Sequence, residues 1–90
     1  MPKIHIPRAY RKYTGNVSVH ESNKNTLTSL FEELTRNYPP LMGTVFSTNN
    51  FPLPFVRIVA RDNLISVDEY SSTTLTSDET ILLVNAVAGG

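Results

Sequence analysis

The 90-residue sequence contains no cysteine. That absence excludes a disulfide framework, a cysteine-bound zinc site and a thiol nucleophile. A surplus of charge is missing as well, since eight Lys and Arg balance eight Asp and Glu. A dedicated nucleic-acid binder carries a basic excess to offset phosphate charge, so no nucleic-acid partner is expected. No apolar run approaches the roughly 20 residues that span a bilayer, so no membrane association is expected. The start, Met1-Pro2-Lys3-Ile4-His5-Ile6, lacks the apolar core of a secretory signal. A soluble cytoplasmic protein is the expectation. Internal repeats are also lacking, and the only biased stretches are short Ser/Thr/Asn segments that read as loops.

What is present suits one small domain, with 40% hydrophobic residues at a length near the lower limit for an unstapled core. Ile4 and Ile6 alternate with polar neighbours and stop at Pro7. After the polar stretch Arg8 to Tyr13, Thr14-Gly15-Asn16 is a turn signal, and Val17 and Val19 then alternate with Ser18 and His20. Two short strands around a glycine-containing turn read as a β-hairpin. Ser22 to Asn25 is turn-forming, with Asn25 or Thr26 as helix N-cap. Leu27, Leu30, Phe31, Leu34 and Tyr38 follow at helical spacing, with Glu32, Glu33 and Arg36 opposite, and Pro39-Pro40 closes the helix.

Residues 40–54 hold Pro40, Pro52, Pro54, Gly43 and Asn49-Asn50, and read as a loop with a short helical turn around Leu41 to Phe46. Phe55 to Ala60 is an apolar strand, followed by the turn Arg61-Asp62-Asn63 and a weaker extended segment from Leu64 to Tyr70. Leu75 to Glu79 is a tight connection, and Thr80 to Val84 is the last and most apolar strand. One helix after a hairpin, followed by further strands, predicts an α+β fold of the β-grasp type. The helix would pack on a mixed sheet of four to five strands and serve as the crossover that a parallel pairing needs. Residues 1–84 form the domain in this reading, and residues 85–90 a tail.

The tail, Ala86-Val87-Ala88-Gly89-Gly90, has nothing bulky to anchor it. Glycine makes up about 7% of proteins, so a terminal pair arises by chance in roughly 0.5% of them. Only Gly15 and Gly43 occur elsewhere, so the pair does not reflect a glycine-rich composition. Lacking a Cβ, glycine lets a backbone pass through a narrow channel, and such an arm can enter another protein's active site. A carboxylate at its end is anionic and has a poor leaving group. A mixed anhydride with AMP removes both obstacles, after which sulfide can displace AMP and leave a thiocarboxylate.

The stretch Leu75 to Gly90, with its acidic turn Ser77-Asp78-Glu79, apolar strand Thr80 to Val84 and end Val87-Ala88-Gly89-Gly90, resembles the MoaD/ThiS family of ubiquitin-like sulfur carriers. Ile6-Pro7, Arg11 to Gly15, Thr26-Leu27 to Asn37-Tyr38-Pro39, and Phe55-Val56-Arg57-Ile58 look most like the family's carrier for thiocarboxylate-dependent cysteine biosynthesis. Asn85 stands where the family commonly has proline, and Ser77 where it commonly has glycine. The resemblance implies a carrier that catalyses nothing itself and binds no cofactor or metal. An E1-like adenylating enzyme would activate Gly90 with ATP, while Gly89 and Ala88 thread its channel. A sulfur donor would supply the thiocarboxylate. The acceptor would be a PLP-dependent cysteine synthase, and a metalloprotease could release the product.

Alternation on the last strand sets Ile81 and Leu83 against Leu82 and Val84. A single helix covers one sheet face. With Ile81 and Leu83 toward it, Leu82 and Val84 lie exposed beside the tail with Val59, as a partner-docking patch. The alternative is that the 40–54 loop covers that face. His5 and His20 read as polar-face strand residues with no second metal ligand at suitable spacing. Glu32-Glu33 reads as a solvated helix face, and Arg8, Arg11 and Lys12 as solvated surface. Competing functions remain at this stage: the small subunit of molybdopterin synthase, a thiamine-thiazole sulfur carrier, a ubiquitin-like modifier joined to lysine, and a binding module with an inert tail.

Overall fold

A computed structural model, which describes residues 1–86, gives the three-dimensional structure. Its longest helix, α1, spans Leu27–Asn37. Thr26 is the N-cap: its backbone is extended, and its hydroxyl oxygen accepts the Ser29 N–H at 3.3 Å. That satisfies one of the donors left unpaired at any helix start. At the other end Tyr38 leaves helical geometry ahead of Pro39-Pro40. Between them Leu27, Leu30, Phe31 and Leu34 form one buried stripe.

The stripe shares its core with a five-stranded sheet. The strands are β1 (Lys3–His5), β2 (Val19–Glu21), β3 (Val56–Ala60), β4 (Asn63–Ile65) and β5 (Thr80–Asn85), in spatial order β2-β1-β5-β3-β4. β1 pairs antiparallel with β2 and parallel with β5, while β3 is antiparallel to β5 and β4. This is the expected α+β, β-grasp architecture. Cross-strand registers align Ile4, Ile81 and Ala60 in one buried row and Ile58 with Leu83 in the next.

Three segments depart from expectation. The second strand begins at Val19, two residues later than Val17, and its inward side chain is His20. Pro7, a 3-10 turn over Arg8–Tyr13, and left-handed Gly15 and Asn16 take up the intervening chain. Ile4 faces the core, so its register partner His20 must do so too, and a shift of one residue would reverse every side chain. The segment after β4 is not extended through Tyr70. Ser66 and Glu69 form a reciprocal capping box that opens a 3-10 turn over Val67–Ser72, and hydrogen bonds from the Ser66 backbone and side chain hold the Glu69 carboxyl below its usual range. That turn buries Tyr70 with its ring 5.4 Å from Phe31.

The third departure is the 40–54 loop, which builds core rather than spanning it. A 3-10 turn over Pro39–Leu41 leads into fully buried Leu41, Val45 and Phe46. The Phe46 and Phe51 rings lie 5.4 and 6.4 Å from Phe31, so this loop packs on the α1 side and leaves the opposite sheet face uncovered.

The β3–β4 connection is a two-residue turn in which Arg61 (φ 54°) and Asp62 (φ 62°) are both left-handed. For residues with a Cβ this costs about 1–2 kcal/mol each. Arg61 offsets it by gripping Glu79, which is buried at the start of the final connection. Its Nη2 donates to Oε1 at 2.7 Å, and its Nε lies 3.1 Å from both carboxylate oxygens. The carboxylate also accepts the Thr76 N–H at 3.4 Å.

Urea denaturation should show Phe31→Ala destabilising the fold by about 3–5 kcal/mol, the cost of a large cavity at the aromatic junction. Glu79→Ala should cost about 1–3 kcal/mol, because it removes the anchor of a strained turn and strands the Thr76 N–H.

Candidate functional site

β5 has two apolar faces. Ile81 and Leu83 are buried, while Leu82 is 39% and Val84 38% exposed on the uncovered side. Val59 of β3 is the direct register partner of Leu82, so the structure brings these two expected residues together. Val84 stands one row nearer the C-terminus, opposite Arg57, whose guanidinium donates to the Pro54 carbonyl. Beyond β5 the Ala86 N–H donates to the Phe55 carbonyl at 2.8 Å. Ala88, Gly89 and Gly90 lie outside the described residues.

The row through Leu82 is wider than expected. Successive register pairs run Leu64–Val59–Leu82–His5–Val19, one residue from each of the five strands. Leu64 is 60% and Val19 37% exposed, Val59 is half-buried and His5 is exposed. On one side of this stripe lie Thr80, Lys3 and Glu21, and on the other Val84 and Arg57. A cleft of about 290 Å³ adjoins it at the β3–β4 turn, walled by Val59 and Leu82, by Asp62 and Asp78, and by the Arg61–Glu79 pair. Leu64, His5 and Val19 were beyond sequence reasoning because only pairing register aligns them.

Both departures from the family pattern fit locally. Ser77 is not among the residues with positive φ, so no glycine is required there, and the Asp78 carboxylate accepts the Thr76 hydroxyl at 2.9 Å. Asn85 completes β5 opposite Val56, carrying the strand one residue beyond Val84.

On the covered face, His20 is not a polar-face residue and Glu33 is not simply solvated. His20 Nε2 lies 2.9 Å from a Glu33 oxygen, and Nδ1 lies 3.0 Å from the Tyr38 hydroxyl. With Glu33 ionised, Nε2–H donates to it and the Tyr38 O–H donates to Nδ1, so both ring nitrogens are satisfied. Burial would raise the Glu33 carboxyl, but hydrogen bonds with Ser22 and His20 and the nearby Lys24 charge bring it below its usual value. Burial, with Glu33 nearby, pushes the Tyr38 phenol up, so this cluster fastens the edge strand to α1 rather than activating a nucleophile. Glu32 remains exposed. In the basic cluster Arg8 and Lys12 are exposed, whereas Arg11 is half-buried and donates through Nε to the Ile6 carbonyl at 3.0 Å.

A family model describing ThiS proteins matches residues 4–90. The chain belongs to the ThiS family. Among solved structures, a chain of the Amycolatopsis orientalis BexX/CysO complex is similar at TM-score 0.83 and 17% identity, with 100% of both chains covered. Small archaeal modifier protein 1 (SAMP1) from Methanosarcina acetivorans is similar at TM-score 0.81 and 20% identity, over 99% of this chain and 95% of its own. Mycobacterium tuberculosis CysO is similar at TM-score 0.75 and 22% identity, over 97% and 100%. At such identities the likeness establishes the fold, the ubiquitin-like β-grasp found in MoaD/ThiS-type carriers. No curated protein sequence matches the chain significantly.

The depressed Glu33 carboxyl has a defined consequence for acid stability. Its contribution is complete above the ordinary value of 4.5 and is lost as pH falls through the lower folded-state value. Thermal melts should therefore show wild type more stable than Glu33→Gln at neutral pH, with the gap closing progressively below pH 4.5.

Proposed function

We propose that this chain is a sulfur carrier whose working group is the Gly90 carboxylate and whose sulfur goes to cysteine biosynthesis. The family match carries the reading, because it runs through the tail to Gly90 itself. The likeness to two CysO-containing structures supports the cysteine branch. In this reading the chain is a substrate and catalyses nothing. An E1-like enzyme joins the carboxylate to the α-phosphate of ATP, releasing pyrophosphate. A sulfur donor's sulfide then attacks the acyl carbon and AMP leaves, giving the thiocarboxylate. A PLP-dependent cysteine synthase accepts the sulfur, and a metalloprotease frees the cysteine formed on the tail.

The residues that follow β5 act as the arm and the preceding domain as the handle. Gly89 and Ala88 thread the partner's channel, glycine by virtue of its missing Cβ. Leu82, Val84 and Val59 form the docking patch for the adenylating enzyme. Gly90 lies six positions beyond Val84, at most about 22 Å of extended chain, so an enzyme enclosing the terminus meets this face. The exposed apolar surface is the part of the handle that such a partner can desolvate with gain.

A second reading has its own support in the similarity to SAMP1, described as a small archaeal modifier protein. There the same adenylate is captured by a lysine amine, forming an amide and releasing AMP.

Intact-protein mass spectrometry after incubation with the E1-like enzyme, ATP and sulfide should show one oxygen exchanged for sulfur, and deletion of Gly90 should abolish the exchange. An unchanged mass would end the carrier reading, whereas lysine-linked adducts from cells would favour the modifier. Leu82→Asp should leave folding intact and reduce adenylation at least about tenfold, the loss expected for a buried interface anchor.

A further inference from the structure

A second cleft, of about 320 Å³, opens between the 40–54 loop and the 3-10 turn over Val67–Ser72, beside the first residues of β3. Its walls are largely apolar, made by Phe51, Pro52, Leu53, Val56 and Val67. Two polar side chains that line it have groups left over for a ligand. Tyr70 is only 3% exposed, yet its hydroxyl makes no hydrogen bond among the described residues. Tyr10 has the one side-chain polar atom among those residues that is both enclosed and unpartnered. The Tyr70 hydroxyl therefore keeps an opening, and the cleft that Tyr70 lines supplies it.

Arg57 leaves β3 on the open face and turns back to this cleft, where its guanidinium donates to the Pro54 carbonyl. No carboxylate pairs with it among the described residues, whereas Arg61 is committed to Glu79. Burial pushes the Tyr70 phenol above its usual value and the Arg57 charge opposes that rise, so the phenol stays a donor with a cation nearby. Among the described residues no acidic side chain lines the cleft. Asp68 and Glu69 stand on the adjoining turn, and the Glu69 carboxylate is held by Ser66. Ser47 and Asn49, also in the wall, are bonded to each other and to the Phe51 backbone.

We propose that this cleft binds a small monocarboxylic acid with an apolar body, its carboxylate meeting the Arg57 guanidinium and the Tyr70 hydroxyl. Apolar walls with a few convergent polar groups are the usual make-up of a small-molecule site, and the volume lies at the lower end of the range for one. Both free polar groups serve here as donors, and a guanidinium cannot accept at all. A carboxylate brings acceptor oxygens and a single negative charge, which one guanidinium balances. A phosphate dianion would leave charge uncompensated. The inference does not depend on the carrier role. It places the ligand where the chain leaves β5, because the Ala86 N–H donates to the Phe55 carbonyl, between the wall residues Pro54 and Val56.

The test is titration of the isotope-labelled full chain with phenylacetate, followed by amide NMR spectra. Saturable shifts are expected at the Phe51, Leu53, Val56 and Tyr70 amides, with a dissociation constant in the millimolar range. Phenylacetamide, of the same shape without the charge, should bind at least about tenfold more weakly, the loss for a charge-assisted hydrogen bond. Arg57→Gln and Tyr70→Phe should each weaken phenylacetate binding to a similar extent. Tyr70→Phe keeps the ring against Phe31, and its remaining amide signals report whether the fold is intact. Arg57 is exposed, so its variant tests the site independently of the core. Equal binding of acid and amide, or wild-type affinity in Arg57→Gln, would overturn the proposal. So would an absence of saturable shifts, or shifts centred on Val59 and Leu82, since exposed apolar surface would then be holding the probe.

Discussion

The placement of β5 between β1 and β3 is the constraint on which the other features depend. As the central strand it is hydrogen-bonded along both sides, parallel to β1 and antiparallel to β3. Its inward residues, Ile81 and Leu83, close the core beneath α1 with Ile4, Ile58 and Ala60. Because side chains alternate along a strand, burying that pair obliges Leu82 and Val84 to face outward. An exposed apolar face next to the C-terminal segment is thus a consequence of how the core is closed. The strand that leads to the C-terminal segment is also hydrogen-bonded to a neighbour on each side, which holds it in register.

Two polar clusters keep this arrangement from slipping. Arg61 and Glu79 tie the left-handed β3–β4 turn to the start of β5. His20, Glu33 and Tyr38 tie the edge strand β2 to α1. Each holds a shielded carboxylate that would be costly alone, and each joins segments distant in sequence. They stand at opposite margins of the sheet, so β5 is braced from both sides while its outer face stays uncovered.

Legibility from sequence followed the range of the interactions. The α1 stripe and its proline stop depend on neighbours three or four positions apart, and the helix lies where Leu27, Leu30, Phe31 and Leu34 place it. The last strand was equally plain from Thr80 to Val84. The region 40–54 was opaque because prolines and asparagines dominate it locally, whereas Leu41, Val45 and Phe46 take their role from Phe31 across the core. Ser66-Val67-Asp68-Glu69 carried a readable capping signal, but the apolar residues Leu64, Ile65 and Val67 argued for a longer strand. Val17 misled the placement of β2 because a Val–x–Val alternation looks the same whichever residue faces inward.

By itself the sequence determined a cysteine-free, charge-balanced chain with one amphipathic helix, a final strand apolar on both faces and a Gly-Gly end. These are matters of composition and short-range periodicity, which need no long-range contact. Only the tertiary structure decided which sheet face stays open, that the 40–54 loop leaves it uncovered, and that His20 turns inward. It alone brought Leu64 and His5 into line with Val59 and Leu82. The reason is register: alternation specifies two faces, but pairing between distant strands decides which residues become neighbours on each.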